Sequence, residues 1–231
     1  MEEKNFAENS GGGTLISNNF DKIKDAWDGT YNKFGQNVSW ATKERRAFVV
    51  NLVLDFAKKG NSSVNSLLDY GTGTGHVAVE LKNLLSIPKV VGADISAKGV
   101  DKKHLEQNGV GFALINQPKD IGGKYDFILC WSVLFINDLK IQKKYLKQFA
   151  DMLTDNGTLL IGNFVAEKNE KDAYNGLRYF TMSSPEFQKV LGKNKLRIVS
   201  EGEKVIAFDK KAQLTTGFSN KLFKYYFIQR I

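Results

Sequence analysis

The stretch Ser66–Gly75 reads Ser-Leu-Leu-Asp-Tyr-Gly-Thr-Gly-Thr-Gly: a short apolar run, an acid near its end, then glycines at every second position. This reads as a strand that breaks into a glycine loop and then enters a helix. Such a junction gathers backbone N–H groups and a helix N-terminus at one point. Glycine permits positive φ and lets another molecule approach the backbone.

The rest of the chain repeats this alternation. Helical spacing runs over Phe20–Phe34, with Phe20, Ile23, Trp27 and Tyr31 on one face, and over Thr42–Lys59, where Phe48, Leu52 and Phe56 recur every fourth residue. Thr42 is the expected N-cap, with Arg45 where a capping-box glutamate would stand. Strands are predicted at Val64–Tyr70, Lys89–Asp94, Val110–Asn116, Tyr125–Trp131 and Thr158–Val165. Helices are predicted at Gly75–Leu85, Ala97–Asn108 and Leu139–Leu153, with Asp155-Asn156-Gly157 as a turn. Strand two is almost wholly apolar, as a parallel strand covered on both faces should be. Five strand–helix alternations argue a parallel sheet. A helix starting at Ser184-Pro185, with Ser184 as cap, ends near Gly192. Leu196–Ser200 and Leu222–Arg230 read as closing strands, with Val205–Phe208 as a further short one.

The glycine spacing narrows the ligand. The dinucleotide pattern G-x-G-x-x-G would place its third glycine at position 76, where this chain has His76; its own third glycine is Gly75. The pattern is therefore acid-x-G-x-G-x-G, from Asp69 through Gly71, Gly73 and Gly75. Asp94, 23 residues after Gly71, ends the second strand, where a carboxylate can accept both ribose hydroxyls. These motifs, with Tyr125–Asp138 and Phe149–Ile161, resemble the class I, Rossmann-like S-adenosylmethionine-dependent methyltransferases of small-molecule type. The resemblance extends over about Phe20–Ile231.

The resemblance implies an α/β three-layer sandwich: a mostly parallel seven-stranded sheet with a C-terminal antiparallel hairpin and an N-terminal helical cap over 20–60. It implies S-adenosylmethionine as cofactor and S-adenosylhomocysteine as product. The cofactor contacts it implies are Tyr31, Asp69, Gly71, Thr72, Gly73, Gly75, Asp94, Ile95, Asn116, Gln117, Cys130 and Trp131. At the adenine position the family often carries an acid; this chain has Asn116-Gln117-Pro118, and an amide offers both donor and acceptor. The acceptor site is expected above strands four and five, from the N-terminal helices and the 166–183 segment. Trp131, Phe135, Tyr174, Arg178 and Tyr179 could line it, with Arg178 suited to a carboxylate or phosphate. Each of these has ordinary packing or surface exposure as its competing explanation.

No catalytic dyad stands out. His76, Tyr31 and Arg178 are the weak catalytic candidates; His76 and His104 are the only histidines, and surface or packing roles are preferred for both. A sulfonium leaves as a neutral thioether, so a base is needed only for a protonated nucleophile. Cys130-Trp131-Ser132-Val133 stands where nucleic-acid amino-methyltransferases carry Asn/Asp-Pro-Pro-Tyr/Phe. No metal-ligand spacing is present.

Composition limits the remaining readings. The chain has 231 residues, 42% hydrophobic, which suits one α/β domain. Residues 1–19 read as a flexible tail, and the chain lacks a signal-peptide pattern or an apolar run of about 18 residues. The single Cys130 excludes an intrachain disulfide and fits a reducing cytoplasm. The net charge is +8, but the lysines are spread out and cluster only as pairs. The resemblance implies a small-molecule acceptor, and the basic charge motivates tRNA or protein as the second reading. A dinucleotide-type oxidoreductase and a non-catalytic cofactor-binding relative are the alternatives of other classes.

Overall fold

The computed structural model describes residues 20–35, 42–60, 63–164, 177, 180, 182–207 and 220–231. The proposed tail 1–19, most of the proposed acceptor segment and the candidates Tyr174, Arg178 and Tyr179 lie outside the described residues.

The elements follow in the order α1 (Phe20–Phe34), α2 (Lys43–Gly60), β1 (Ser66–Tyr70), α3 (His76–Leu85), β2 (Lys89–Asp94), α4 (Lys102–Gln107) and β3 (Gly111–Leu114). Then come β4 (Tyr125–Trp131), α5 (Leu139–Met152), β5 (Leu153–Phe164), α6 (Ser184–Lys193), β6 (Leu196–Ala207) and β7 (Asn220–Arg230). Seven strands form one sheet in the order β3-β2-β1-β4-β5-β7-β6. The pairings β3–β2, β2–β1, β1–β4 and β4–β5 are parallel. β7 runs antiparallel between β5 and β6, which closes the sheet as the expected hairpin.

Alternation along β1 sends neighbouring residues to opposite faces. Leu67 joins Val49, Val50 and Val53 of α2 and Ala78 and Leu81 of α3. Leu68 joins Leu146 and Phe149 of α5 and Leu191 of α6. Each such side chain, fully buried, contributes roughly 1.5–3 kcal/mol. A third apolar cluster gathers Ile23, Phe135, Ile136, Leu177, Ile206 and Phe223, with Trp27, Phe48 and Trp131 packed against it. Among the described residues no helix is long and apolar enough to cross a membrane.

Several boundaries differ from expectation. β5 begins at Leu153 rather than Thr158, because Leu153 already pairs with Tyr125; the ladder then shifts register before Phe127 meets Thr158. Asp155-Asn156-Gly157 is thus an irregularity within the strand. The helix expected over 97–108 is only Lys102–Gln107. Asp101 caps it by accepting from the His104 N–H at 3.0 Å, and Gly99 before it is pressed against the Tyr31 ring. The two short strands expected after Leu196 are one strand with an irregularity between Ile198 and Ser200. Ser183, not Ser184, occupies the cap position of α6. Thr42 does cap α2, its Oγ1 accepting from the Arg45 N–H at 3.4 Å.

Candidate cofactor and acceptor site

The sheet order reverses direction at β1, which connects to β2 on one side while β4 pairs on the other. Ligands in open α/β sheets bind outside the carboxyl ends of the strands at such a switch point. The glycine loop leaves β1 there. Its Gly71 and Thr72 N–H groups both donate to the Ala93 carbonyl, at 2.7 and 3.0 Å, which anchors the loop to the end of β2.

Gly71, Gly73 and Gly75 have φ of +81°, +55° and +83°. Two of the three are also packed by the protein itself. A Cβ at Gly71 would fall 2.2 Å from Val133 Cγ2, and one at Gly75 would fall 2.4 Å from Leu105 Cδ2. Gly73 differs: among the described residues, the only atom near its Cβ direction is the Tyr31 hydroxyl, at 3.4 Å. It is the point of the loop left open to a ligand.

Two carboxylates flank this opening, both buried. Asp94 accepts from the Gly73 N–H at 2.8 Å and, through its other oxygen, from the Ser96 N–H at 2.9 Å. Asp69 accepts from the Thr72 hydroxyl at 2.8 Å. Burial pushes the Asp69 carboxyl up to about 7, against the Thr72 bond and with help from Asp94. Burial likewise raises Asp94 to about 6, although the N–H groups of Ser96 and Gly73 favour its charged form. A positive charge placed beside them would favour the ionised form of both carboxyls.

α1 lies over this opening. The Ser96 hydroxyl donates to Asp28, whose other oxygen takes Lys24 Nζ at 2.6 Å. Burial raises the Asp28 carboxyl, but the Lys24 and Ser96 hydrogen bonds outweigh it and hold the group below its ordinary value. Tyr31, three residues on, lays its ring on Gly99, where a Cβ would fall 2.1 Å from Cζ. The expected aromatic thus sits against the loops after β1 and β2. Trp27 packs on the third cluster and on Tyr31.

The end of β4 forms the other wall. The Ser132 N–H donates to the Gly162 carbonyl at 2.6 Å, and Ser132 holds φ +60°, a left-handed conformation costly for a non-glycine residue. Its buried hydroxyl has no hydrogen-bond partner among the described residues. Trp131 lies flat over Gly162, stacks on Phe223 at 5.9 Å and meets Phe48 edge-on at 5.9 Å. Phe135 is buried in the same cluster.

The other expected residues fall around this centre. Ile95 follows Asp94 directly and packs against the third cluster. Asn116 and Gln117 follow β3, their N–H groups held by Asp120 Oδ2 at 3.0 and 3.1 Å; Gln117 Oε1 also accepts from Gln148. The Cys130 side chain points into the core on the α5 side, and burial pushes its thiol well up. His76 opens α3, but its ring stacks on His104 at 4.7 Å and its Nδ1 meets the Thr74 hydroxyl at 3.0 Å. Burial lowers its pKa, and the nearby Arg46 adds to this.

Sequence reasoning did not single out Asp28, Ser96, Arg45 or Phe223. Helical spacing puts Asp28 on the same face as Tyr31, so that one was within reach. The others meet their partners only through the fold.

The arrangement fits an adenosyl sulfonium ligand on three observations. Gly73 is an open cradle, Asp94 stands beside it, and the Ser132 hydroxyl is an orphaned group at the neighbouring strand end. A family model described as a methyltransferase domain matches residues 41–190. The carboxy-S-adenosyl-L-methionine synthase of Nautilia profundicola is 27% identical over 127 residues, 53% of this chain and 54% of that protein. The chain thus aligns with about half the length of this curated relative. Among solved structures, the magnesium protoporphyrin IX methyltransferase of Synechocystis with bound S-adenosylmethionine superposes with a TM-score of 0.63 at 17% identity, over 90% of this chain and 96% of that one. The 1,6-didemethyltoxoflavin-N1-methyltransferase of Burkholderia thailandensis gives 0.64 at 15% identity, over 90% and 87%. An S-adenosylmethionine-dependent methyltransferase from Anabaena variabilis gives 0.66 at 17%, over 90% and 95%. This chain belongs to the methyltransferase domain family.

Proposed function

We propose that the protein methylates an oxygen or nitrogen of a small organic molecule. The observation that carries this reading is the apolar, aromatic packing at the carboxyl end of β4, beside the glycine loop. Phe48, Trp131, Phe135 and Phe223 gather there, where a macromolecular acceptor would call for an open polar groove. Two structural neighbours are named as methyltransferases of magnesium protoporphyrin IX and of 1,6-didemethyltoxoflavin, both small molecules, which supports the same reading.

The Gly71–Gly75 loop would hold the cofactor's methionine end, Asp94 its ribose, and Tyr31 would cover it from α1. When bound, S-adenosylmethionine supplies a methyl group already activated, because its sulfur leaves as a neutral thioether. The chain's own part is to align the acceptor and exclude water. Well-oriented reactants gain roughly 7–11 kcal/mol from positioning alone. The aromatic cluster removes water from one side, and α1 covers the other. His76, engaged with Thr74 and His104, is not placed as a base at the aromatic wall.

Incubation of the protein with methyl-labelled S-adenosylmethionine and a cell extract, followed by size fractionation, tests this. Label is expected in the small organic fraction. Label in the tRNA or protein fraction would overturn the small-molecule assignment and leave the methyltransferase reading intact.

A further inference from the structure

Two hydrogen-bond donors stand at the aromatic stack of the third cluster. Trp131 Nε1 is buried and has no hydrogen-bond partner among the described residues. Its ring runs parallel to Phe223, at 5.9 Å and 14°. The Arg45 guanidinium lies over that same Phe223 ring, 4.9 Å from its centre, and Arg45 is only 4% exposed. Phe48, one helical turn beyond Arg45, meets the Trp131 ring edge-on.

An indole N–H and a guanidinium have no acceptor of their own. A guanidinium carries five N–H donors, so it can serve an anion in addition to its present neighbours. A buried N–H without a partner is costly, and a ligand oxygen would satisfy it. A buried cation in an aromatic setting favours a ligand with negative charge, and the stacked rings favour a flat one. The place also fits a methyl acceptor. Trp131 stands two residues before Val133, whose Cγ2 occupies the space a side chain at Gly71 would need, so the stack adjoins the cofactor loop.

We propose that Trp131 and Arg45 form the acceptor subsite of this enzyme and that it takes a planar aromatic anion, a carboxylate or phenolate, its charged oxygen held by Trp131 Nε1 and the guanidinium. This rests on the methyltransferase reading above and names the acceptor class for that same site.

The test uses the full chain saturated with S-adenosylhomocysteine and titrated in a calorimeter with 1-naphthoate, cyclohexanecarboxylate and 1-naphthylmethylammonium. Naphthoate should bind at least about tenfold more tightly than the non-planar acid, and the cation should give no heat. Trp131→Phe keeps the ring stack and removes only the N–H; it should weaken naphthoate about tenfold, the loss expected for a hydrogen bond to a charged group. Arg45→Gln should weaken it further; where that variant melts early, Trp131→Phe carries the test. Preference for the cation, equal binding of the two acids, no naphthoate binding, or unchanged binding in Trp131→Phe would overturn the subsite. In those cases S-adenosylhomocysteine binding by the same preparation would leave the methyltransferase reading standing. Absence of that binding would remove both.

Discussion

Ser96 and Asp28, 68 residues apart, share a short hydrogen bond that ties α1 to the loop following the buried Asp94 carboxylate. Ser96 therefore has two tasks. Its N–H holds Asp94 and its hydroxyl holds the covering helix, so the position of α1 is coupled to the carboxylate beneath it.

Removing that tie should loosen α1 without unfolding the sheet. A hydrogen bond to a charged, partly buried group contributes about 1.5–3 kcal/mol. Asp28→Ala is expected to weaken S-adenosylmethionine binding by roughly tenfold or more on that basis. Hydrogen exchange should show faster exchange confined to α1, and calorimetry should show the weaker binding. Protection of α1 equal to wild type would contradict the coupling.

The three loop glycines should separate stability from binding. Gly75→Ala forces a Cβ to 2.4 Å from Leu105 at φ +83°, so the melting temperature should fall by several degrees, corresponding to about 1–3 kcal/mol. Among the described residues Gly73→Ala meets no atom closer than 3.4 Å, so its stability loss should be about 1 kcal/mol, from backbone strain alone. Its main effect should be on cofactor affinity, because the added methyl enters the open side of the loop. Paired thermal melts and titrations distinguish the two.

Asp69 and Asp94 make cofactor binding pH-dependent. Their carboxyls are raised by burial to about 7 and about 6, well above an ordinary aspartate. The free protein thus holds these protons more tightly than the unfolded chain does. Their contribution to stability is present below about pH 4 and is lost as pH rises through about 6 to 7. A cationic ligand prefers the ionised carboxylates, so affinity for S-adenosylmethionine should rise over the same window. Calorimetry in two buffers of different ionisation enthalpy at pH 6 should reveal proton release, and Asp94→Asn should reduce it. Equal heats in both buffers would contradict this.

Much of this site was legible because it depends on neighbours in the chain. The strand, the acid, the glycine spacing and the second acid at the tip of β2 are local patterns, and the parallel strands announced themselves as apolar runs covered on both faces. What was not legible depends on partners far along the chain. The shortening of α4 follows from Tyr31 lying on Gly99. The early start of β5 follows from Leu153 pairing with Tyr125, although Asp155-Asn156-Gly157 looks like a turn by itself. The spacing of α2 could show that Arg45 follows its cap, but not that β7 would bring Phe223 beneath its guanidinium.

Cys130 provides a check on the core. Its thiol is fully buried and its pKa is raised by burial, so it should resist alkylation in the native protein at pH 8 and react once denaturant unfolds the chain. Rapid native-state modification followed by mass spectrometry would place β4 at the surface and contradict the packing.

The central claim is that the open glycine and the neighbouring carboxylate grip one sulfonium nucleoside. Titration of the full chain with S-adenosylmethionine, beside Asp94→Ala and beside NAD, tests it most directly. Saturable one-to-one binding of S-adenosylmethionine, weakened at least tenfold by Asp94→Ala and absent for NAD, is the expected result. No heat with S-adenosylmethionine, or equal binding by the alanine variant, would contradict the account.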